Sequence, residues 1–347
     1  MKKSILILLT VIISCSKENK QKMDGFESYF NTVKTINLVS KKINLIHGSD
    51  TQFIQMPEMT FVDSLLIVND INPSYTMKIV DLKTNKVTGF GKKGRGPNEY
   101  QSPFTKLSID RNLNLLYASD FPNYRIYNID SLRNSNTNPV SKIKIKSDSL
   151  RFFMSVFCNG FIVGNTFKDR FNLYNISTKE IGKQKFSYGK AGAMGTQGNF
   201  FTHPTKPKLV NIEFVSEVLS ILTLDNNELR LKELAWLKDE KIRQVTKNGK
   251  SFAEQTSDTR NSFVSAATSE DYIYVLYSGK ELGNSIESVA RSNFSNMIYV
   301  FDWEGMPIKK YKLNQKVKSI AIDEKSNTLY AATQEDDEAN LIKFDLN

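Results

Sequence analysis

Residues 90–130 read FGKKGRGPNEYQSPFTKLSIDRNLNLLYASDFPNYRIYNID. A glycine-rich turn opens the stretch, and short runs follow in which β-branched and aromatic residues alternate with polar ones. This alternation predicts strands with one buried face, and the turn residues between the runs predict antiparallel pairing. Upstream of Asp130 lies a second such run, NLLYASD at 114–120. We therefore expect one unit of short antiparallel strands here.

The unit recurs along the chain. Alternating runs end at Asp81, Asp130, Ser177, Asp225, Asp302 and Asp345. The steps between these end points are 49, 47, 48, 77 and 43 residues, so five intervals define six units, one of them with a long insertion. A period in the forties built of antiparallel strands is typical of a β-propeller with four strands in each blade. The predicted fold is all-β, a six-bladed β-propeller.

The chain ends too early to complete the last blade from its own C-terminus. Asp345 ends the expected third strand of blade six, and two residues follow it. An unclosed ring would expose two strand edges, so an N-terminal strand must supply the missing one. Two segments have the required pattern, residues 35–39 and residues 42–46.

The quoted stretch resembles an NHL-type propeller repeat, with a weaker copy at Tyr188 to Pro204. Residues 298–313, IYVFDWEGMPIKKYKL, resemble the penultimate-blade motif of TolB-like six-bladed propeller lipoproteins of Bacteroidota. The resemblance covers about residues 55–345. It implies the fold and a cell-envelope location, and because that family is largely uncharacterised it implies no reaction.

The N-terminus is predicted to carry an export signal. Residues 1–15 read MKKSILILLTVIISC, two lysines followed by an apolar run that is too short to span a bilayer. Its end resembles the lipobox of bacterial lipoproteins, in which Cys15 would be acylated and residues 1–14 removed. By the same resemblance, Ser16 implies sorting to the outer membrane, on either its periplasmic or its surface side. We assign residues 15–32 to a lipidated flexible tether and residues 33–347 to the propeller.

Composition limits the chemistry. The 347 residues carry a net charge of +10, two histidines and two cysteines. Loss of Lys2 and Lys3 with the signal segment would reduce the charge to +8. We predict no cofactor, no metal site and, because the basic residues are dispersed, no nucleic-acid partner. An anionic glycan, lipid headgroups or an acidic envelope protein are the partners that the charge favours. Cys158 is expected to be a buried hydrophobe.

Loop lengths suggest a ligand-binding rim. In a propeller, the turns from strand four to the next strand one share a rim with the turns from strand two to strand three. We assign 91–103, 189–204 and 239–261 to the first kind of turn, and 280–296 to the second. The basic residues predicted to surround an anion-binding channel mouth on that rim are Lys92, Lys93, Arg95, His203, Arg260 and Arg291. Asp120 and Arg125 are predicted to pair across a hairpin and stabilise it.

The sequence contains no recognisable catalytic frame, and no catalytic residue is predicted. The leading hypothesis is a lipid-anchored, non-enzymatic module that binds a ligand or protein at the cell envelope. The alternatives are a propeller hydrolase, lyase or lactonase that uses channel carboxylates or a metal, and a subunit of a larger envelope assembly. Phe200, Phe201 and Trp303 are candidates either for sugar stacking or for the core.

Overall fold

The computed structural model describes residues 25–96, 99–101, 105–120, 122–145, 152–166, 168–182, 184, 186–188, 197–225, 227–236, 243–247, 250–335 and 338–347. Within these ranges the chain forms six radial sheets, the blades, around a central channel. No helix in this part of the chain has the length and apolar character needed to cross a membrane.

Short strands make up almost all of the regular structure. In chain order they are Thr35–Leu38 (β1), Lys41–Lys42 (β2), Ile46–His47 (β3), Glu58–Val62 (β4), Leu65–Asn69 (β5), Tyr75–Asp81 (β6), Lys86–Lys92 (β7), Lys106–Asp110 (β8), Leu115–Asp120 (β9), Asn123–Asn128 (β10), Ser141–Lys144 (β11), Phe152–Cys158 (β12), Phe161–Thr166 (β13), Asn172–Asn175 (β14), Gly198–Thr202 (β15), Lys208–Glu213 (β16), Val218–Asp225 (β17), Glu228–Ala235 (β18), Arg243–Lys247 (β19), Lys250–Glu254 (β20), Arg260–Thr268 (β21), Tyr272–Glu281 (β22), Ser295–Asp302 (β23), Pro307–Val317 (β24), Ser319–Asp323 (β25), Thr328–Glu335 (β26) and Glu338–Asp345 (β27). The described helices are a 3₁₀ turn at Glu27–Phe30, Ile129–Arg133 (α1) and Ile286–Ser292 (α2).

These strands confirm the six predicted blades. Blade one is β4–β7, blade two β8–β11, blade three β12–β14, blade four β15–β18, blade five β21–β24 and blade six β25–β27 with β2. Each blade's first strand lies innermost and contacts the first strand of the next blade, and β25 contacts β4 to complete the ring. The 77-residue interval between Asp225 and Asp302 contains two additional elements. The hairpin β19–β20 precedes blade five, and helix α2 lies between the second and third strands of that blade.

Ring closure uses the N-terminal segment, as predicted. Strand β2 pairs antiparallel with β27 as the outer strand of blade six. It overlaps the second of the two expected segments, residues 42–46, at Lys42 and begins one residue before it. Strand β1 instead adds a fifth, parallel strand to blade five beside β24, and β3 adds one to blade one beside β7. Residues 35–47, termed the N-terminal belt, therefore cover the outer edges of three successive blades. Because unpaired strand edges promote aggregation, this arrangement protects the blades on both sides of the closure.

The packed core includes residues that precede the predicted propeller start at residue 33. Phe26 and Phe30, placed in the tether by sequence, are 1% and 0% exposed and pack between blades four and five. Their rings contact the buried Trp236, which follows β18, and Phe301 of β23. No alternating pattern surrounds the two phenylalanines, so they could not be assigned to a strand from the sequence. Cys15 and the signal segment lie outside the described residues.

Strand direction gives the ring two distinct rims. Turns that enter each first strand, and turns between second and third strands, lie on rim A. Turns between first and second strands, and between third and fourth strands, lie on rim B. Rim A includes residues 93–96, 99–101 and 105 as well as α2, whereas rim B includes the turns at 203–207, 269–271 and 324–327.

Candidate functional site

The central channel holds a cavity of about 550 Å³, part of it open to solvent. It is bounded by the inner strands of blades one, two, four, five and six. The residues that line it include Glu58, Thr60, Phe61, Ser108, Ile109, Arg111, Phe201, Thr202, Pro204, Ala267, Thr268 and Ile322. Each of these inner strands is at the end of its sheet, so one backbone edge of each strand is unpaired and faces the channel. The cavity is therefore polar along its walls as well as at its side chains.

An ion pair forms the floor of the cavity on the rim A side. Lys106, the first residue of β8, places its amine 2.6 Å from Oε2 of Glu58, the first residue of β4. The Leu107 N–H donates to the other carboxylate oxygen at 3.3 Å. The amine also lies over the ring of Phe201, 5.7 Å from its centroid. Burial raises the pKa of the Glu58 carboxyl, and the neighbouring Lys106 opposes that rise.

The cavity opens on rim B. Its lining contains Arg111, directly after β8, and Pro204, soon after β15, both in rim B turns. Within the described ranges no carboxylate forms a salt bridge with the Arg111 guanidinium, which is partly exposed. An unpaired guanidinium at the edge of a recessed cavity is suited to a carboxylate or phosphate, because its planar donors match two anionic oxygens.

Two aromatic rings supply flat walls. Phe61 of blade one stacks on Tyr330 with ring centroids 5.7 Å apart and an interplanar angle of 15°. Phe201 of blade four lines the cavity, whereas its neighbour Phe200 is fully buried in the core. Of the three sequence candidates for sugar stacking, Phe201 is thus the one that lines the cavity, and Trp303 is buried elsewhere.

His203 lies on rim B, so its predicted position on one rim with Arg95 is wrong. Residues 189–204 were interpreted as an inter-blade turn, but Gly198–Thr202 is the inner strand of blade four. This strand takes the chain along the channel wall from rim A to rim B before it reaches His203. This is the physical reason that the six basic residues do not surround one channel mouth.

The contacts of His203 are structural. Nδ1 accepts the N–H groups of Thr205 and Lys206 at 3.1 and 3.0 Å, which leaves Nε2–H to donate to the Glu270 carbonyl at 3.1 Å. Its ring packs against Trp303 with centroids 4.8 Å apart. Burial lowers the pKa of the imidazole, in agreement with a neutral ring whose Nδ1 is already an acceptor. His203 joins the rim B turns of blades four and five.

The other five predicted basic residues lie on rim A and do not line the cavity. Lys92 ends the outer strand β7, and Lys93 and Arg95 follow it in the exposed glycine-rich turn. Arg260 begins β21, and the exposed Arg291 of α2 pairs with Glu287. The channel cavity opens at the opposite rim from the one that loop length suggested.

Asp120 and Arg125 contact each other at 2.9 Å across the hairpin of β9 and β10, and both are buried. Arg125 also donates to the Glu99 carbonyl, 2.5 Å away, and lies over the Tyr100 ring. The pair therefore fastens the glycine-rich turn to blade two. Gly91, near the end of β7 just before this turn, has a left-handed φ of 66°, which explains a glycine there without reference to a ligand.

Sequence reasoning missed Glu58, Lys106, Arg111 and Phe61. A usable signal was present, because Glu58 and Lys106 have opposite charges and are separated by 48 residues, one blade repeat. Residues one repeat apart occupy equivalent positions in neighbouring blades, where inner strands are adjacent. Arg111 follows the inner strand of the stretch that defined the repeat.

Two further observations concern reactive groups in the described part of the chain. No group of three or more His, Cys, Asp or Glu residues is placed to hold a metal ion there. Cys158 is a buried free thiol, and burial raises its pKa to about 12. This agrees with the interpretation of Cys158 as a packed side chain.

Comparisons with known proteins support the fold. The profile of a family described as "TolB-like 6-blade propeller-like" matches residues 39–325. A Bacteroides fragilis protein assigned as exported has a similar structure, with a TM-score of 0.59 and 12% identity over 90% of this chain and 99% of that one. The RRP9 WD40 repeats give a TM-score of 0.51 at 8% identity over 90% of this chain and 100% of theirs. No curated protein matches the sequence.

Proposed function

We propose that this chain, which belongs to the TolB-like six-bladed propeller family, is a lipid-anchored, non-enzymatic binding module of the bacterial cell envelope. The observation that carries the binding role is the channel cavity, recessed behind rim B with Arg111 at its edge. The exported assignment of the B. fragilis protein and the lipobox ending at Cys15 support the location, which we place at the outer membrane.

The cavity favours binding over hydrolysis. Glycoside hydrolysis requires two carboxyl groups on opposite sides of the scissile bond. Among the cavity-lining residues that the structure describes, Glu58 is the one with a carboxyl group, and Lys106 pairs with it at 2.6 Å. A carboxylate held by an ammonium group on the floor is positioned to orient a polar ligand.

We infer that the ligand is an acidic sugar at the end or edge of an anionic glycan. Phe61 and Phe201 offer flat apolar faces of the kind that pack on a pyranose ring, and Thr60, Thr202 and Thr268 offer hydroxyl groups. Arg111 supplies the positive charge for the sugar carboxylate. A recessed cavity suits a single sugar unit better than it suits the flat surface of an envelope protein, another of the partners that the charge favours.

Substitution of Arg111 tests this site. We expect Arg111→Gln to weaken the binding of trigalacturonate about 10- to 100-fold, because a charge-assisted hydrogen bond contributes roughly 1.5–3 kcal/mol. Maltotriose, which lacks the carboxylates, should lose little affinity. Titration calorimetry of the chain from Ser16 onward with both sugars measures the difference.

The matched control is Arg95→Gln, which removes the same charge from rim A. It should leave the binding of trigalacturonate unchanged. Equal losses in the two variants would show that only net charge matters, and failure of the unsubstituted chain to bind either sugar would refute the glycan assignment.

The anchor has its own test. We expect Cys15→Ala to abolish incorporation of a clickable palmitate analogue in cells and to release the protein from the membrane fraction, because the thiol is the acylation site in the lipobox that this segment resembles. Gel fluorescence and fractionation report the two effects. Cys158→Ala serves as the control and should label normally. Persistent labelling of the Cys15→Ala chain would contradict the proposal.

A further inference from the structure

We propose that the outer face of blade five, with the N-terminal belt that covers it, docks on an anionic lipid surface. The docking proposal depends on the proposed lipid anchor only where the length of the tether is considered. The charge and apolar pattern of the face stand independently of it.

The net charge of the protein is concentrated at this face. Residues 30–47 carry three lysines and residues 306–318 carry five, and neither segment contains an acidic residue. Strands β1 and β24 lie in these segments and are hydrogen-bonded to each other. Together the eight lysines equal the net charge of +8 that remains without residues 1–14, so the rest of that chain is balanced. The eight are Lys34, Lys41, Lys42, Lys309, Lys310, Lys312, Lys316 and Lys318.

These lysines are not neutralised as a group. Lys34, Lys42, Lys312 and Lys316 are exposed. The salt bridge described for the eight joins Lys41 to Asp345, at 2.6 Å. The eight lysines lie on or next to β1, β2 and β24, the outer strands of blades five and six. This accumulation of ammonium groups creates a positive potential that attracts anionic headgroups.

Exposed aliphatic side chains occur on the same blade and on the belt. Ile286 and Val289, three residues apart on α2 of the same blade, are 92% and 42% exposed. Val39 and Ile36 of the belt are 72% and 37% exposed. Lys280, whose amine donates to the Phe294 carbonyl at 2.5 Å, joins α2 to the sheet. Apolar residues flanked by lysines are typical of surfaces that insert partly among lipid headgroups.

The tether emerges close to this face. Phe26 packs against Trp236 at the end of blade four and against Phe263 of blade five. Nine residues separate Phe26's neighbour Gly25 from Cys15, and the ten steps between their Cα atoms span at most about 35 Å. An acylated Cys15 would therefore hold blade five near the bilayer, where both the lysines and the aliphatic residues could engage it.

Vesicle sedimentation tests the face without the anchor. The chain from Ser16 onward, which keeps the whole closed propeller, should bind vesicles of phosphatidylglycerol and phosphatidylcholine and should not bind vesicles of phosphatidylcholine alone. Lys312→Glu with Lys316→Glu should lower the partition coefficient at least about 30-fold, because each lysine near an anionic surface contributes substantially to the free energy of membrane binding. Ile286→Ser with Val289→Ser should lower it as well.

The matched control is Lys144→Glu with Lys168→Glu, exposed lysines of blades two and three. It makes the same change in net charge on the far side of the ring and should retain most of the binding. Equal losses in the two charge-reversal variants, or no binding of the unsubstituted chain to the anionic vesicles, would overturn the proposal. Because no acyl chain is present, either outcome leaves the result at Cys15 unaffected.

Discussion

Phe26→Ala and Phe30→Ala should each lower the free energy of unfolding by about 3–5 kcal/mol, the cost typical of truncating a buried phenylalanine. Both side chains are fully enclosed, and Phe26 alone has five other aromatic rings within 6.1 Å besides Phe30. Alanine would leave a cavity between blades four and five that the surrounding strands cannot fill. Urea denaturation followed by intrinsic fluorescence measures the change.

Two control variants distinguish the effect of burial on stability from the effect of any substitution in the N-terminal segment. Tyr29→Phe removes one hydrogen bond, from the hydroxyl to the Gly305 carbonyl at 3.0 Å, and should cost about 1 kcal/mol. Val39→Ala in the belt, at a side chain that is 72% exposed, should cost less than about 0.5 kcal/mol. If Phe26→Ala were no more damaging than Val39→Ala, the segment before the belt would be an appendage and not part of the core.

This aromatic contact makes the N-terminal segment part of the ring's stability. From Phe26 the chain continues into β1, β2 and β3, which pair with blades five, six and one in turn. The outer strand of blade six comes from this segment, so loosening the segment weakens the contact between the first and last blades. A strand supplied from the other end of the chain couples the two termini energetically.

The blades could be predicted because each follows a local pattern. Alternating runs such as MKIVD, which ends at Asp81, place every second side chain on one face, and the spacing of their ends predicts the number of blades. Closure was also predictable, since Asp345 left blade six one strand short. Phe26 escaped prediction because its burial depends on Trp236 and Phe301, which are more than 200 residues away in the chain.

The site was harder to predict for a related reason. Each strand takes the chain from one rim to the other. A single strand that is not recognised in the sequence therefore places the residues after it on the wrong rim in the prediction. Gly198–Thr202 was such a strand, and its omission misplaced His203. The long loops likewise predicted a ligand site on rim A, whereas the cavity is formed by short inner strands. Arg111 and Glu58 are distinguished by where the strands begin and end, which only the assembled ring reveals.

The floor of the cavity gives the second large effect. Lys106→Met should destabilise the protein by about 3–5 kcal/mol at pH 8, because it leaves the Glu58 carboxylate buried without its partner. Burial already raises the pKa of Glu58, and removal of Lys106 takes away the main opposing influence. A carboxyl whose folded pKa exceeds its unfolded value favours the folded state as pH falls. The deficit should therefore shrink between pH 8 and pH 5, as measured by urea denaturation at each pH relative to the unsubstituted chain.

The double variant Glu58→Gln with Lys106→Met isolates the charge. Methionine keeps much of the lysine stem and glutamine keeps the shape of the carboxylate, so the floor stays filled and neither charge is buried alone. We expect it to recover much of the stability lost in Lys106→Met, and its difference from the unsubstituted chain should vary less with pH. A Lys106→Met deficit that is the same at pH 5 and pH 8 would mean that lost packing, and not the stranded carboxylate, causes the destabilisation. In that case the pair would act as a spacer in the channel, and its electrostatic role in orienting a ligand would have no support.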